Sequence, residues 1–280
     1  MGLLGPAAVA QANTNTSINW SGYAVHRSGI RFHRVAAVWR MPSGSCAPGA
    51  QGFSAFWVGL GGYRLNSQAL EQVGTEFDCT MLGRPEVSVW YELVPAPSHT
   101  VRMVVHPGDL VSAWVIVHGI HVTIGLIDRT DHHRFRKQII DRHADLTSAE
   151  WIAEAPSECL GIANCSVLPL ADFGSVSFMH AYAQANRHRA GGISSHHWNR
   201  TRILLANTNG RRYVSGNSAS AHATPSVLHQ DGRAFSITFS GPGHQSTVVG
   251  GQSSVAGTRS RAQSASAEVR PQITVLGRQG

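Results

Sequence analysis

Residues 110–117 read LVSAWVIV, with Val111, Ala113, Val115 and Val117 on one parity and Ser112 on the other. Period two is the repeat of a β-strand, whose successive side chains point to opposite faces. The same period recurs at 30–41, 53–60, 87–94, 101–105, 121–127, 175–183, 202–206 and 234–240. Turn signals lie between these stretches, PGD from Pro107, TNG from Thr208 and QDG from Gln230; their residue types favour chain reversal. Nowhere is the 3.6-residue period of a long amphipathic helix sustained. Many short strands at fairly regular spacing predict an all-β fold, an antiparallel β-sandwich of the jelly-roll or concanavalin-like kind with two packed sheets.

Composition sets the frame around those strands. With 280 residues, 42% hydrophobic and 14% charged, the chain can bury a large core and carries too little charge to be disordered throughout. One domain is expected over 17–242. Residues 243–280 are rich in Gly, Ser and Arg, their apolar alternation reduced to QITVL, and read as a disordered tail or, through the arginines, a polyanion tether. The start, MGLLGPAAVAQA, has small residues at Ala8 and Ala10 but no basic n-region. Residues 1–16 therefore read either as a truncated export signal or as an ordinary terminus. No apolar run reaches the roughly 18 residues of a spanning helix, so a soluble protein with no membrane partner is expected. Lys+Arg number 23 against 16 Asp+Glu, net +7 with 16 His uncharged; this balance speaks to solubility, and acidification would raise it further.

The four cysteines, Cys46, Cys79, Cys159 and Cys165, include no C-x-x-C pair, which fits disulfides better than zinc. Cys159 and Cys165 close the short loop SECLGIANC, leaving Cys46 and Cys79 as a second pair; four buried free thiols are the alternative. Disulfides favour an exported, extracellular protein.

Strand parity gathers carboxylates. Gln72, Gly74 and Glu76 share one face if 70–77 is a strand; Glu150, Ile152 and Glu154 share one face, and so do Ser88, Trp90 and Glu92. Carboxylates are costly to bury unless paired or functional, so a wet, concave face is expected, the alternative being the solvated outside of the sandwich.

Five strings stand in order along residues 17–240: NWSGY at Asn19, FWVGLGG at Phe56, ALEQVGTEFDC around Gln72, VWYELVP at Val89, and SAEWIAEAPS around Glu154 followed by the short Cys loop and LPLADFG. Together they resemble the glutamic peptidases, or eqolisins. The resemblance implies two packed antiparallel sheets with the cleft on the concave face of one, secretion, and pepstatin-insensitive endopeptidase activity at acid pH on polypeptide substrates. By motif it places the catalytic pair on Gln72 and Glu154, Glu150 as a structural glutamate, and Trp20, Trp57, Glu76, Trp90, Tyr91 and Glu92 as substrate-binding positions.

The residue types suit that chemistry. An ionised Glu154 can take a proton from water beside the scissile carbonyl and return it to the departing amine. The Gln72 amide, uncharged at any working pH, can donate to the developing oxyanion. Neither metal nor cofactor is required. Where fungal members carry Asp in W-V-G-I-D-G this chain has Gly61, and its basic balance also departs from them; a bacterial-type member with a milder acid optimum is expected.

Other motifs carry less. DFG at 172–174 lacks a Gly-rich phosphate loop and an H-R-D loop, and D-[ST]-G, H-E-x-x-H and G-x-S-x-G are absent. His132, His133, His196 and His197 could ligate a metal, but neighbours on a strand point apart, and surface histidines are the better reading. RFRKQIIDRH, 134–143, has no interleaved aromatic platforms for nucleic acid and reads as a strand or turn edge that discourages aggregation. No nucleic acid partner is expected, and a monomer is the default. A sandwich with Trp20, Trp57 and Trp90 on one face could instead bind sugar or peptide without cleaving, and two carboxylates could serve a glycosidase.

Overall fold

The alternation at 110–117 becomes strand β8 (Leu110–His118), with Val111, Ala113, Val115 and Val117 buried and Leu110, Ser112, Trp114 and Ile116 half-buried. The computed structural model describes residues 13–160, 164–186, 188–206 and 221–241. Residues 1–12 and the expected tail from 243 lie outside that set.

β8 sits in an antiparallel layer ordered β10 (Arg134–Ile140), β9 (His121–Asp128), β8, β3 (Phe32–Arg40) and β14 (Ser175–Ala185). The other layer runs β16 (Asn199–Ala206), β2 (Trp20–His26), β11 (Ser148–Glu154), β4 (Ala55–Gly61), β5 (Leu70–Cys79), β6 (Pro85–Val94) and β7 (His99–Val101). β18 (Phe235–Ser240) and β17 (His222–Pro225) bridge β14 to β16, so the layers belong to one 16-stranded hydrogen-bonded sheet rather than two separate ones. β1 (Asn13–Ser17) joins β16 in parallel, and β15 (Arg189–Gly191) pairs with β14. No helix occurs among the described residues, and none is long and apolar enough to cross a membrane. The antiparallel sandwich expected from the period is the fold observed.

The layers meet where β4 and β5 lie over β8 and β11 lies over β3. Their core includes Phe32, Val35, Trp39, Phe56, Val73, Phe77, Val115, Trp151, Phe178 and Phe235, all buried. Core tryptophans need partners for their N–H groups. Trp39 Nε1 donates to Thr75 Oγ1 at 3.1 Å and Trp151 Nε1 to the Ala36 carbonyl at 3.0 Å, so each ties one layer to the other. Losing such a buried partner costs about 1–3 kcal/mol.

The strand expected at 101–105 does not form: β7 lies earlier, at His99–Val101, and the Met103 N–H folds back to the Val101 carbonyl ahead of the turn at Pro107. The basic 134–143 stretch supplies β10, which ends the strand order and, among the described residues, pairs only with β9. Arg134, Arg136 and Lys137 there are exposed, as an edge strand requires to resist edge-to-edge pairing. Cys46 and Cys79 form the expected disulfide, Cα–Cα 5.3 Å. In a separate hairpin, β12 (Ser157–Leu160) and β13 (Asn164–Val167), Cys159 stands directly opposite Cys165 in register; the Cys159 side chain lies outside the described residues.

Candidate active site

The outward face of the second layer collects the sequence-selected residues by register. Glu154 stands opposite both Trp20 on β2 and Ala55 on β4, and Ala55 opposite Glu76 on β5. Trp57 stands between Ile152 and Gly74, and Gly74 opposite Trp90; Gly59 stands between Glu150 and Gln72, and Gln72 opposite Glu92. Three expected triplets, Gln72-Gly74-Glu76, Glu150-Ile152-Glu154 and Ser88-Trp90-Glu92, therefore point the same way. Glu154 and Gln72 lie diagonally across β4.

Glu154 is fully buried and both its oxygens are held. Asn19 Nδ2 donates to Oε1 at 2.9 Å and Trp57 Nε1 to Oε2 at 2.8 Å. Asn19 is itself fixed, its carbonyl accepting from the Ala155 N–H at 2.9 Å and its side-chain oxygen from the Ser17 hydroxyl at 3.2 Å. The Trp57 indole reaches Glu154 because its six-membered ring lies over Gly59, where a Cβ would sit 2.9 Å from Cζ3. Trp20 packs edge-on against Trp57, ring centroids 5.0 Å apart. Its Nε1–H favours the charged carboxylate electrostatically without making a hydrogen bond of ordinary geometry.

Burial pushes the Glu154 carboxyl well above the usual carboxylate range, against the donors from Trp57, Trp20 and Asn19, and the charge of Glu92 adds to the rise. Gln72, also buried, donates from Nε2 to Glu92 Oε2 at 2.7 Å, while its Oε1 has no hydrogen-bond partner. An amide nitrogen has two hydrogens, so one remains on Gln72 after that bond. Glu76 is nearly buried and accepts from the Ser88 hydroxyl at 2.6 Å.

Three findings differ from the expectation. The face is more closed than expected: Gln72, Glu92, Glu154, Trp20 and Trp57 are each 0% exposed, and the tryptophans pack with Ile152, Ile203 and Leu70. Buried tryptophans of this kind offer no open platform for sugar. Tyr91, placed among the substrate-binding positions by its motif, points the other way, since it alternates with Trp90 and Glu92. It belongs to the interlayer core, stacked on His99 and Phe135, with Lys137 Nζ donating to its hydroxyl. Finally, Asn19, in NWSGY, adds a contact to Glu154 across 135 residues that nothing in the sequence announces.

Gly61 also finds a local reason. Its φ is +86°, in the left-handed region that favours glycine, and a Cβ there would meet the Asp145 carbonyl oxygen at 2.6 Å and the Asp145 Cβ at 2.7 Å. Asp145 fills that space, taking the Ser67 hydroxyl and the Thr147 N–H.

The Peptidase A4 family pattern matches residues 18–224. The chain belongs to this family, the glutamic peptidases or eqolisins. Scytalido-glutamic peptidase, in a crystal structure with a transition state analog inhibitor, superposes with TM-score 0.63 at 20% identity over 79% of this chain and 98% of that one. SCP-B, an eqolisin in complex with the tripeptide Ala-Ile-His, gives TM-score 0.56 at 20% identity over the same shares, 79% and 98%. Both likenesses are of fold. No curated protein sequence matches. As a member of the Peptidase A4 family this chain is a glutamic endopeptidase acting on polypeptides.

Proposed function

We propose that this glutamic peptidase hydrolyses peptide bonds with Glu154 as general base and then general acid, and Gln72 as the oxyanion donor. The observation that carries the reading is the Glu154 carboxyl, buried and held at both oxygens by Asn19 and Trp57, on the strand face that also presents the Gln72 amide.

Each Glu154 oxygen keeps a second lone pair after its hydrogen bond. Ionised Glu154 takes a proton from water as the water oxygen attacks the scissile carbonyl carbon. The carbonyl oxygen gains the negative charge and accepts the remaining Gln72 N–H. Collapse re-forms the carbonyl and breaks the C–N bond, and the proton on Glu154 passes to the departing nitrogen. Gln72 is uncharged throughout, so the site avoids the two like charges of a carboxylate dyad.

Because Glu154 must be ionised to begin and burial raises its pKa, the basic form accumulates only above the ordinary carboxylate range. Action in mild rather than extreme acid follows, in line with the expectation from Gly61 and the basic composition. Secretion is part of the proposal, supported by the Cys46–Cys79 disulfide, which an oxidising compartment preserves. The test is cleavage of an unfolded protein from pH 2 to 7 with pepstatin present. Pepstatin-resistant cleavage with a rising limb above the ordinary carboxylate range is expected; a maximum near pH 2 contradicts a base of raised pKa.

A further inference from the structure

Behind the site, the outward face of the other layer has a different chemistry. Register places Arg34, Trp114 and Arg136 on that face, on β3, β8 and β10. Trp114 stands opposite Gly125, and Gly125 opposite Arg136; Arg134 lies two residues along. Arg34, Arg134 and Arg136 are exposed and Trp114 is half-buried. A Cβ on Gly125 would lie 2.1 Å from Trp114 Cζ2 and 2.3 Å from Cε2, so the indole lies down across the glycine and turns its free side outward. Among the described residues, no Asp or Glu occupies an outward position on β3, β8, β9 or β10. Asp131, in the β9–β10 turn, and Asp109, just before β8, both stand beside His106, and Asp141 follows the last residue of β10.

We propose that this face docks an anionic polysaccharide, a polyuronate, with a sugar ring on Trp114 and carboxylates on Arg34, Arg134 and Arg136. An indole laid flat on a sheet offers an apolar plane that matches the face of a pyranose ring. Strands are about 4.8 Å apart, so Arg136 lies about 10 Å from Trp114 across the sheet and Arg34 lies on the opposite side. Cations therefore flank the platform where carboxylates on neighbouring sugars of an extended chain would fall. Gln138 and Ser112 on the same face add uncharged partners for hydroxyls. Single-stranded nucleic acid calls for successive aromatic platforms. The other ring in this row, Tyr182, already has the Arg34 guanidinium 5.9 Å from its centroid. Polymer bound here would lie on the layer opposite Glu154 and would hold the peptidase without filling its site.

The test uses the full chain and titrates it with polygalacturonate, with uncharged dextran and with a single-stranded DNA oligonucleotide, in wild type, in Arg134→Ser/Arg136→Ser and in Trp114→Ala. Thermal melting confirms that each variant is folded, and the double arginine variant leaves core positions untouched. Polygalacturonate is expected to bind, dextran not, and each variant to bind it about tenfold more weakly, with peptide cleavage unchanged. Absent binding to polygalacturonate overturns the proposal. So does undiminished binding in the arginine variant, which places the contact elsewhere on the chain, and so does tighter binding of DNA than of polygalacturonate, which makes the face a nucleic-acid surface.

Discussion

Gln72 and Glu92, directly opposite on adjacent antiparallel strands, are joined by a 2.7 Å hydrogen bond from Nε2 to Oε2. That bond decides which end of the Gln72 amide is the nitrogen and leaves its second hydrogen for the proposed oxyanion contact. Glu92→Leu, which removes the acceptor, is expected to lower kcat about tenfold or more, while Glu92→Gln keeps an acceptor and most of kcat. Equal kcat in both variants and wild type would remove Glu92 from the positioning of Gln72.

In the proposed mechanism Gln72 is the oxyanion donor. Gln72→Ala is expected to cost about 10² to 10³ in kcat, the size of one lost oxyanion donor. Steady-state kinetics on a short peptide measures it, and a loss under about tenfold argues against the role.

Asn19 donates to Glu154 only in a way that favours the charged form. Removing a donor from a carboxylate raises its pKa further. Asn19→Ala is expected to shift the acid limb of kcat/KM to higher pH with the fold intact; a limb that stays in place or moves down contradicts this contact.

Glu150 and Glu71 are fully buried carboxyls raised well above the ordinary range, chiefly by burial. The charges of Asp141 and Asp145 add to the rise of Glu71, against backbone donors from Glu71 and Asp145; for Glu150, Ser148 lowers it in part while Asp145 and Glu71 raise it. A carboxyl whose folded pKa is raised binds its proton more tightly when folded. Its stabilisation is complete below the unfolded pKa, about 4.3, and is lost as pH climbs through the raised folded value. The protein is expected to lose stability from mild acid toward neutrality. Glu150→Gln should flatten that loss and raise stability at pH 7 by about 1–3 kcal/mol. Denaturant unfolding at pH 4 and 7 tests it, and an unchanged slope in the variant counts against the assignment.

The Cys46–Cys79 disulfide closes a separation of 33 residues. Chain-entropy reasoning gives about 3–4 kcal/mol for such a loop. Cys46→Ser/Cys79→Ser should lose about that much in denaturant unfolding.

Much of this was legible because a strand has only two faces. The parity of Gln72, Glu76, Trp90, Glu92 and Glu154 follows from their numbering once each stretch is a strand, and the same parity sends Tyr91 to the core, against its motif. Continuity of the sheet through β17 and β18 was not legible, since pairing partners distant in sequence leave no local pattern. Neither was the burial of the site, where Ile152, Ile203 and Leu70 pack around the tryptophans. Asn19 escaped for a related reason: an asparagine before a tryptophan looks like any turn residue until β2 and β11 are paired.

The most direct measurement is the rate of cleavage of an unfolded protein by Glu154→Gln, with its thermal melt matched to wild type. Glutamine keeps the shape of the side chain and cannot move the proton, so the account predicts a loss of about 10² to 10⁴, the worth of a general acid–base group, at every pH. A folded Glu154→Gln protein that cleaves within about tenfold of wild type would contradict the assignment of Glu154 as the group that moves the proton.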